Sequence, residues 1–375
     1  MNQINQWKRA VIKVGSALIA PDGKCLSSRY LLSLAEFIIA SRQAGKDIVL
    51  VSSGSVAAGT AFSIKLSKKK NRGIPEKQAL AAIGQPQMMQ HWQKLFDFPC
   101  AQVLLTKADL QNRQRFVNAK NTLKQLMDEK ILAIVNENDS VAVDELKVGD
   151  NDNLAAHVAV LVDADVLIIC SDVNGLYSSN PQQNDNAEFK SEIKVIDEKI
   201  MSMASSTHNP IATGGMVTKL EAAKKATQSG IDTFIVNGTN ADVFEKLKVN
   251  SNPGSWFHRS TSPMAAKKHW LTHLQKSQGS IIVDAGAERA LVTTGASLLP
   301  SGIVSLTGEI KQGELVEIIS ETSGDLLASG ICQYSLSQLE KIKGKHSNQI
   351  AAILGYIQTE EVIHRNDLFL NEKSK

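Results

Sequence analysis

Two lysines of this 375-residue chain stand where a phosphate group could meet them. Lys13 interrupts an apolar run in VIKVGS, and Lys219 follows two glycines in TGGMVTK. A lysine within an apolar strand is costly to bury unless it meets an anion, and the alternative is an edge lysine that reaches solvent. Glycine amides at a helix start can surround phosphate oxygens, and Lys219 adds positive charge there. The pair therefore favours a site for an anionic group.

Polar side chains are concentrated in two further segments, VNENDSVA and KVGDNDNLAA. Asp139 and Asn151 offer hydrogen-bonding groups to a polar substrate. Asp152 can orient cationic groups or take part in a metal shell. The alternative is that Asp152 or Asn153 only caps a helix that begins near Leu154. The spacing of the acidic residues does not match an EF-hand loop, which counts against structural calcium.

Small polar residues follow two other apolar runs. Ser53 and Gly54 lie in VSSGSVAAG, where free N–H groups at a helix start attract a carboxylate or a phosphate. Ser171 and Asp172 open the segment SDVNGLYSSNP. The simpler alternatives are a serine N-cap in the first segment and a turn alone in the second.

Several common catalytic patterns are absent from the sequence. There is no Ser-His-Asp arrangement, no P-loop of the form G-x-x-x-x-G-K-[ST], and no G-x-G-x-x-G after a strand. Few groups suggest covalent or acid–base work. The remaining inventory of lysines, glycines and carboxylates suits phosphoryl transfer, which depends mainly on positioning and charge neutralisation.

The elements that must position these residues alternate between strand and helix. Val- and Ile-rich runs, apolar on both faces, are typical of parallel strands covered by helices. These runs are 10–14, 48–51, 131–135, 166–170 and 233–236, and the helix-like segments between them are 28–44, 76–96, 113–129, 153–162 and 219–228. The pattern predicts an α/β three-layer sandwich with a mostly parallel central sheet. All the polar clusters then fall at carboxyl ends of strands, where such sheets bind ligands.

The last third of the chain has a different texture. A turn-rich stretch near residue 250 precedes short apolar strands broken by glycine, which predicts a small β-rich domain. We expect a catalytic domain at 1–258, a linker at 259–277, the β-rich domain at 278–357 and a C-terminal tail at 358–375. Residues 1–277 carry 33 Lys and Arg against 26 Asp and Glu, whereas residues 278–375 carry 8 against 12. The acidic balance of the second part counts against strong nonspecific binding to nucleic acid.

Composition excludes several protein classes. With 43% hydrophobic and 21% charged residues, the chain is not expected to be disordered. The four cysteines are far apart and form no C-x-x-C pair, so neither a disulfide framework nor a zinc knuckle is predicted. No apolar run reaches the roughly 18–20 residues that span a bilayer, and the polar N-terminus has no signal-peptide core. These features predict a cytoplasmic protein without membrane association.

Taken together, the motifs resemble those of the glutamate 5-kinase family, within the amino acid kinase superfamily. The resemblance rests on VIKVGS, VSSGSVAAG, AAIGQPQMM, LLTKADL, NENDSVA, KVGDNDNLAA, SDVNGLYSSNP and TGGMVTK. In the β-rich segment, SLLPSGI and HSNQIAAILGY resemble the PUA domain that bacterial members carry. The resemblance covers essentially the whole chain. It implies transfer of the ATP γ-phosphoryl group to the γ-carboxylate of L-glutamate, the first step of proline biosynthesis.

The resemblance also implies a role for each matching residue. Lys13, Asp152 and Lys219 correspond to the catalytic set, in which Asp152 organises the two lysines. Ser53, Asp139 and Asn151 correspond to the glutamate-binding residues. The ATP-binding residues would be Lys13, Ser171, Asp172, Thr213, Gly214, Gly215, Met216, Val217, Thr218 and Lys219. Mg²⁺ would be the cofactor, bound through the ATP phosphates without a direct protein ligand. Ser171 replaces the threonine that family members often carry, and it keeps the hydroxyl.

Further partners follow from the same resemblance. It implies proline as a feedback inhibitor, a homo-oligomer (dimer or tetramer), and glutamate-5-semialdehyde dehydrogenase as recipient of the labile product. Two competing interpretations are acetylglutamate kinase, which is not expected to carry the GDNDN motif or the C-terminal domain, and a non-enzymatic RNA-binding protein. The acidic C-terminal segment and the lack of a basic stripe interleaved with aromatic residues argue against RNA binding.

Overall fold

The computed structural model describes residues 6–63, 72–142, 150–181, 183–205, 215–260 and 279–371. The chain divides into two units, one formed by Met1–Leu110 with Lys120–Ala266, the other by Gln111–Ala119 with Lys267–Lys375. The linker predicted at 259–277 lies almost entirely outside the described residues. The predicted domain boundaries therefore stay a prediction.

The first unit is built on an eight-stranded sheet in the order β3-β4-β2-β1-β5-β9-β10-β8. The strands of this unit are β1 (Arg9–Val14), β2 (Asp47–Ser52), β3 (Cys100–Leu105), β4 (Leu132–Glu137), β5 (Val166–Ser171), β8 (Glu192–Ile193), β9 (Asp232–Asn237) and β10 (Ser255–Phe257), with a separate pair of β6 (Leu176–Tyr177) and β7 (Phe189–Lys190). The six strands from β3 to β9 in that order are parallel to their neighbours, and β10 is antiparallel to β9. The mostly parallel sheet predicted from the sequence is confirmed.

Helices connect these strands and cover the sheet. The helices of the first unit are α1 (Ser16–Ile19), α2 (Leu32–Gln43), α3 (Ser55–Thr60), α4 (Ile74–Gln93), α5 (Lys107–Gln111), α6 (Arg113–Asp128), α7 (Asp150–Leu161), α8 (Glu198–Ser205), α9 (Met216–Gln228) and α10 (Asp242–Lys248), α5 and α6 being shared with the second unit at their boundary. Crossover helices are what parallel strands require, because their ends lie at opposite edges of the sheet. Among the described residues, no helix combines the length and apolar character needed to cross a bilayer.

Burial explains why these segments form strands. Every residue of β4 and β5 is buried, and so are all but the first residues of β1 and β2. Strands covered on both faces have continuous apolar sequences, so the bounds of these four strands were predicted to within two residues. Strand β3 was not predicted, because it lies at the sheet edge, is mostly half-buried, and is interrupted by the exposed Gln102.

The second unit contains a five-stranded sheet in the order β12-β11-β13-β14-β15. Its strands are β11 (Gly279–Val283), β12 (Ile303–Gly308), β13 (Leu315–Ser320), β14 (Leu326–Ile331) and β15 (Leu368–Leu370), and its helices are α11 (Ala285–Thr294), α12 (Leu336–Ile342) and α13 (Ile350–Leu354). Its core, which includes Ile281, Ile318 and Tyr334, shares no residue with the main core of the first unit. The small β-rich unit expected from the sequence is confirmed.

Candidate active site

Lys13 lies in the middle of the first unit's sheet, near the carboxyl end of β1. It pairs in register with Val51 on one side and Ile169 on the other, and its side chain is buried. An edge lysine that reaches solvent is therefore the wrong interpretation. A buried ammonium group needs an anionic partner, because desolvation is costly for an unpaired charge.

The Asp152 carboxylate supplies that partner for two lysines at once. Its Oδ1 lies 2.6 Å from Lys13 Nζ, and its Oδ2 lies 3.2 Å from Lys219 Nζ. Thr218 Oγ1 donates a hydrogen bond to the same Oδ2 at 2.9 Å. Asp152 is fully buried, and the two lysines are nearly so. One carboxylate cannot neutralise two ammonium groups, so the cluster keeps a net positive charge that suits an anionic ligand.

The local electrostatics follow from burial and from this sharing of one carboxylate. Burial alone would raise the pKa of the Asp152 carboxyl, but Lys13 and Lys219 together hold that pKa below its ordinary value. Burial lowers the pKa of the Lys219 ammonium, and the charge of Lys13 acts in the same direction. Asp152 and, more weakly, Asp172 oppose that lowering only in part. A further anion placed beside the lysines would stabilise both charges.

Asp152 is held by the first turn of a helix. Helix α7 begins at Asp150, so Asp152 and Asn153 lie inside the helix, and the interpretation of either as a cap before Leu154 is wrong. The side chain of Asp152 points toward α9, the helix that carries Thr218 and Lys219. Helices α7 and α9 therefore position the carboxylate and one lysine, and the central strand β1 positions the other.

A second polar group surrounds the residue next to Asp152. Asn151 Nδ2 donates to Ser53 Oγ at 2.9 Å and to Asn136 Oδ1 at 3.0 Å. Asn136 is fully buried near the end of β4, and neither its Nδ2 nor Asn151 Oδ1 has a hydrogen-bond partner among the residues that the structure describes. Buried polar atoms without partners are rare in native proteins, so each calls for an explanation such as a bound ligand. The two atoms together offer one donor and one acceptor to a polar ligand.

Asp139 joins this group through the loop that follows β2. Ser55 Oγ donates to Asp139 Oδ2 at 2.9 Å. Helix α3 begins at Ser55, and the residue before it, Gly54, has φ of +110°, which favours glycine. No side chain caps this helix, so the interpretation of a serine N-cap is wrong. The loop instead directs Ser53 toward Asn151 and Ser55 toward Asp139.

Ser171 and Asp172, which are assigned to ATP, follow β5, and this strand flanks β1 on the side opposite β2. Ser171 ends β5, and its Oγ donates to Asp172 Oδ1 at 3.1 Å. Gly215 is the exposed residue before α9, and Met216 and Val217 lie half-exposed in its first turn. Thr213 and Gly214 fall outside the described residues. Helix α9 starts three residues earlier than predicted, so Lys219 stands in its first turn, at the positive end of the helix dipole.

Sequence reasoning missed three contributors to the site. Asn136 was seen only as part of a polar cluster, although its position at a strand end was a signal. Ser55 was overlooked within VSSGSVAAG. The side chain of Thr218 was assigned to ATP alone, whereas it binds Asp152. The last contact joins residues far apart in the chain, and no spacing indicates it.

The side chains of the site determine whether the protein itself could ligate a metal ion there. No group of three or more His, Cys, Asp or Glu side chains within the described residues is arranged to hold one. Asp152, the most buried carboxylate, is already paired with two lysines. If a cation such as Mg²⁺ binds at this site, these residues would leave most of its ligands to phosphate and water oxygens.

A buried Lys–Asp–Lys cluster at the carboxyl ends of parallel strands, beside a helix start, suits an enzyme that transfers a phosphoryl group. The family model that matches residues 8–237 is that of the amino acid kinase family, and the PUA domain model matches residues 279–354. Glutamate 5-kinase from Salinibacter ruber is 52% identical over 364 residues, covering 96% of this chain and 97% of that protein. Glutamate 5-kinase from Idiomarina loihiensis is 50% identical over 98% of this chain and 99% of that protein, and the enzyme from Xylella fastidiosa strain M23 is 45% identical over 98% and 96%. The chain belongs to the glutamate 5-kinase family.

Proposed function

We propose that this protein uses ATP to phosphorylate the γ-carboxylate of L-glutamate, giving L-glutamyl 5-phosphate. The observation that carries the proposal is the placement of Asn151 and Asp152 as neighbours on one helix. Asp152 pairs with the two lysines, and Asn151 faces Ser53 and the buried Asn136. A phosphate-binding group and an acceptor-binding group are thus held next to each other.

The two lysines address the main electrostatic difficulty of the reaction. Attack of a carboxylate on a phosphoryl group brings two anions together, and charge then spreads over the transferring oxygens. An ammonium group has three donors, so Lys13 and Lys219 can bind Asp152 and still meet phosphate oxygens. Preorganised charges of this kind stabilise the transition state without reorganisation during the reaction.

The acceptor needs no general base. A γ-carboxylate with an ordinary pKa near 4.3 is ionised at neutral pH and already nucleophilic. The chain's task is to orient it, and we assign that task to Ser53, Asp139 and Asn151. Asp139 suits the α-ammonium group of glutamate, because a carboxylate pairs with a cation. Asn136 Nδ2, which has no partner within the described part of the chain, suits a carboxylate oxygen of the same substrate.

The nucleotide would occupy the opposite side of the cluster. We assign ATP to Ser171, Asp172 and the segment 213–219, whose glycine amides and helix start suit phosphate oxygens. Mg²⁺ would arrive on the ATP phosphates and add positive charge there. On this assignment Lys13 and Lys219 serve both substrates, since they lie between the two groups.

The product determines where the reaction belongs. An acyl phosphate is labile in water, so an enzyme that reduces it, glutamate-5-semialdehyde dehydrogenase, is the expected recipient in proline biosynthesis. Proline carries an α-carboxylate and an amine, as glutamate does, and we propose that it inhibits at or beside the glutamate group. We also propose a homo-oligomer.

The function is tested by ADP release in the presence of Mg²⁺ and one acceptor at a time. Glutamate is expected to drive ADP release, whereas N-acetylglutamate and aspartate are not. N-acetylglutamate is the matched control, because it keeps both carboxylates and has a neutral, larger acetamido group in place of the charged amine. Faster release with N-acetylglutamate than with glutamate would make the proposed function wrong.

A further inference from the structure

A buried tryptophan lies directly behind the proposed glutamate-binding group. Trp92, near the end of α4, donates from Nε1 to Ser52 Oγ at 2.8 Å. Ser52 Oγ in turn donates to the backbone carbonyl of Ser53 at 3.0 Å. Trp92 and Ser52 are both 0% exposed. The indole N–H therefore reaches Ser53 through a single hydroxyl group.

The two serines face opposite sides of the strand end. Successive side chains of a strand alternate between its faces. Ser52 points into the apolar core that contains Trp92, whereas Ser53 Oγ accepts a hydrogen bond from Asn151. The hydroxyl of Ser52 thus lies too deep to meet a substrate, but it is bonded to the peptide that carries Ser53. Gly54 follows at once with φ of +110° and is the N-cap of α3, so the Ser53–Gly54 peptide forms the junction between β2 and that helix.

Trp92 itself is rigidly held. Its ring is stacked on Phe96 with centroids 6.4 Å apart and an angle of 5° between the planes. Helix α4, which carries Trp92, packs closely against α3 through Gly84 and Gly59. A Cβ at Gly84 would lie 1.8 Å from the carbonyl oxygen of Ser55. The same helix therefore contacts the loop on both sides of Ser53. The AAIGQPQMM segment has no role in the catalytic scheme, but its Gly84 lets α4 pack closely against the residues that follow Ser53.

We propose that Trp92 is a positioning residue for the acceptor substrate. Its indole N–H holds the Ser52 hydroxyl in the rotamer that donates to the Ser53 carbonyl, and this fixes the Ser53 Oγ that meets Asn151. A hydroxyl group has one proton, and accepting from Trp92 leaves that proton directed at the Ser53 carbonyl. The inference rests on the proposed function, because it presumes that Ser53 and Asn151 bind glutamate.

The test is a double-mutant cycle with Trp92→Phe and Ser52→Ala, followed by steady-state kinetics. Each single variant is expected to raise the glutamate KM by about 3- to 10-fold, the equivalent of one hydrogen bond. The ATP KM and kcat should stay within about 2-fold, because the effect is on acceptor binding. The double variant should show less than the product of the two single effects, since both remove the same connection.

Trp256→Phe is the matched control. Trp256 is also buried, and its Nε1 donates to Asp232 Oδ1 at 3.2 Å, at the amino end of β9 and away from the strand ends that hold the site. Trp256→Phe is expected to lower the melting temperature and leave the glutamate KM unchanged. If Trp92→Phe behaves in the same way, or if it moves the KM values of ATP and glutamate together, the positioning role is overturned.

Two further measurements keep the outcomes distinct. If Trp92→Phe fails to fold, Ser52→Ala decides alone, and an unchanged glutamate KM in that variant overturns the proposal. Ser53→Ala and Asn151→Ala serve as references for the glutamate group. If they leave the glutamate KM unchanged, the assignment of the glutamate group fails and this inference falls with it. If they raise that KM while Ser52→Ala does not, only this inference fails.

Discussion

Lys13 and Lys219 bind opposite oxygens of one buried carboxylate, at 2.6 Å and 3.2 Å from Asp152. One lysine comes from the central strand and the other from the first turn of a helix that the chain reaches much later. The shared carboxylate holds two like charges close together while leaving the cluster positive overall. Under the proposed function, both ammonium groups would face the same phosphoryl group.

Removal of one of these charges should appear mainly in the chemical step. Lys219→Ala is expected to lower kcat by about 100-fold or more with little change in the glutamate KM, because the charge acts on the transferring group. Lys13→Ala should lower kcat similarly and also raise the ATP KM. Steady-state kinetics with both substrates varied will show this. A Lys219→Ala enzyme with near-normal kcat would remove that residue from the mechanism.

The glutamate group should respond differently. Asp139→Ala and Asn151→Ala are each expected to weaken glutamate binding by about 1–3 kcal/mol, the cost of losing one buried hydrogen bond or charge contact. The ATP KM should change much less. Isothermal titration with glutamate and with a nonhydrolysable ATP analogue separates the two effects. Equal losses for both ligands would indicate general unfolding rather than a lost contact.

Much of the scaffold was predictable because its strands are buried on both faces. The runs 10–14 and 166–170 are apolar apart from Lys13, and they correspond to β1 and β5 with one added residue each. The interruption by Lys13 was also informative, because a charge in such a run needs a partner. The residues at the carboxyl ends of these strands are therefore the site candidates that the sequence alone indicates, and their roles stay a prediction.

The pairings within the site were not predictable in the same way. The strand order places β4 beside β2, so that Asn136 and Ser53 meet around Asn151, and sequence spacing does not encode that order. The bond from Trp92 to Ser52 likewise depends on how a helix packs behind the sheet. Long-range packing of this kind requires a three-dimensional structure.

Helix packing behind the site gives a stability prediction. A Cβ at Gly84 would lie 1.8 Å from the carbonyl oxygen of Ser55 and 2.5 Å from the backbone nitrogen of Gly59. Alanine favours a helix over glycine by roughly 1 kcal/mol, but forcing two backbones apart costs about 1–3 kcal/mol or more. Gly84→Ala is therefore expected to be destabilising in urea unfolding. Gly73→Ala, at the start of the same helix, meets only ordinary contacts and should cost less than about 1 kcal/mol. Equal decreases in the unfolding free energy of the two variants would show that the helices move apart at Gly84 without a measurable cost.

A half-buried histidine, His157, gives a prediction about pH. Burial, with the charges of Lys225 and Lys107, lowers the pKa of His157 from 6.5 to about 4. Its Nε2 lies 3.2 Å from Lys225 Nζ, which fits a neutral imidazole that accepts a hydrogen bond. Between pH 6.5 and about 4 the unfolded chain binds a proton that the folded chain does not, so stability falls as the pH is lowered through this window.

His157→Gln removes the titrating imidazole, and with it this difference in proton binding between the folded and unfolded chains. As the pH falls from 6.5 to 4, the free energy of unfolding of the variant is expected to decrease by on the order of 2–3 kcal/mol less than that of the natural chain. Urea unfolding at several pH values in this range measures the difference. Parallel stability curves for the two proteins would show that His157 is protonated in the folded state as readily as in the unfolded chain.

The most direct test follows an oxygen atom from acceptor to phosphate. Glutamate labelled with ¹⁸O in its γ-carboxylate is incubated with ATP, Mg²⁺ and hydroxylamine, and the released inorganic phosphate is analysed by mass spectrometry. Attack of the carboxylate on the γ-phosphorus forms an O–P bond, and hydroxylamine then breaks the C–O bond, so the label leaves with the phosphate. The proposed function predicts one ¹⁸O in each released phosphate, together with an equal amount of the hydroxamate. Unlabelled phosphate formed at the rate of ADP release would mean that water is the acceptor, which contradicts the proposed function.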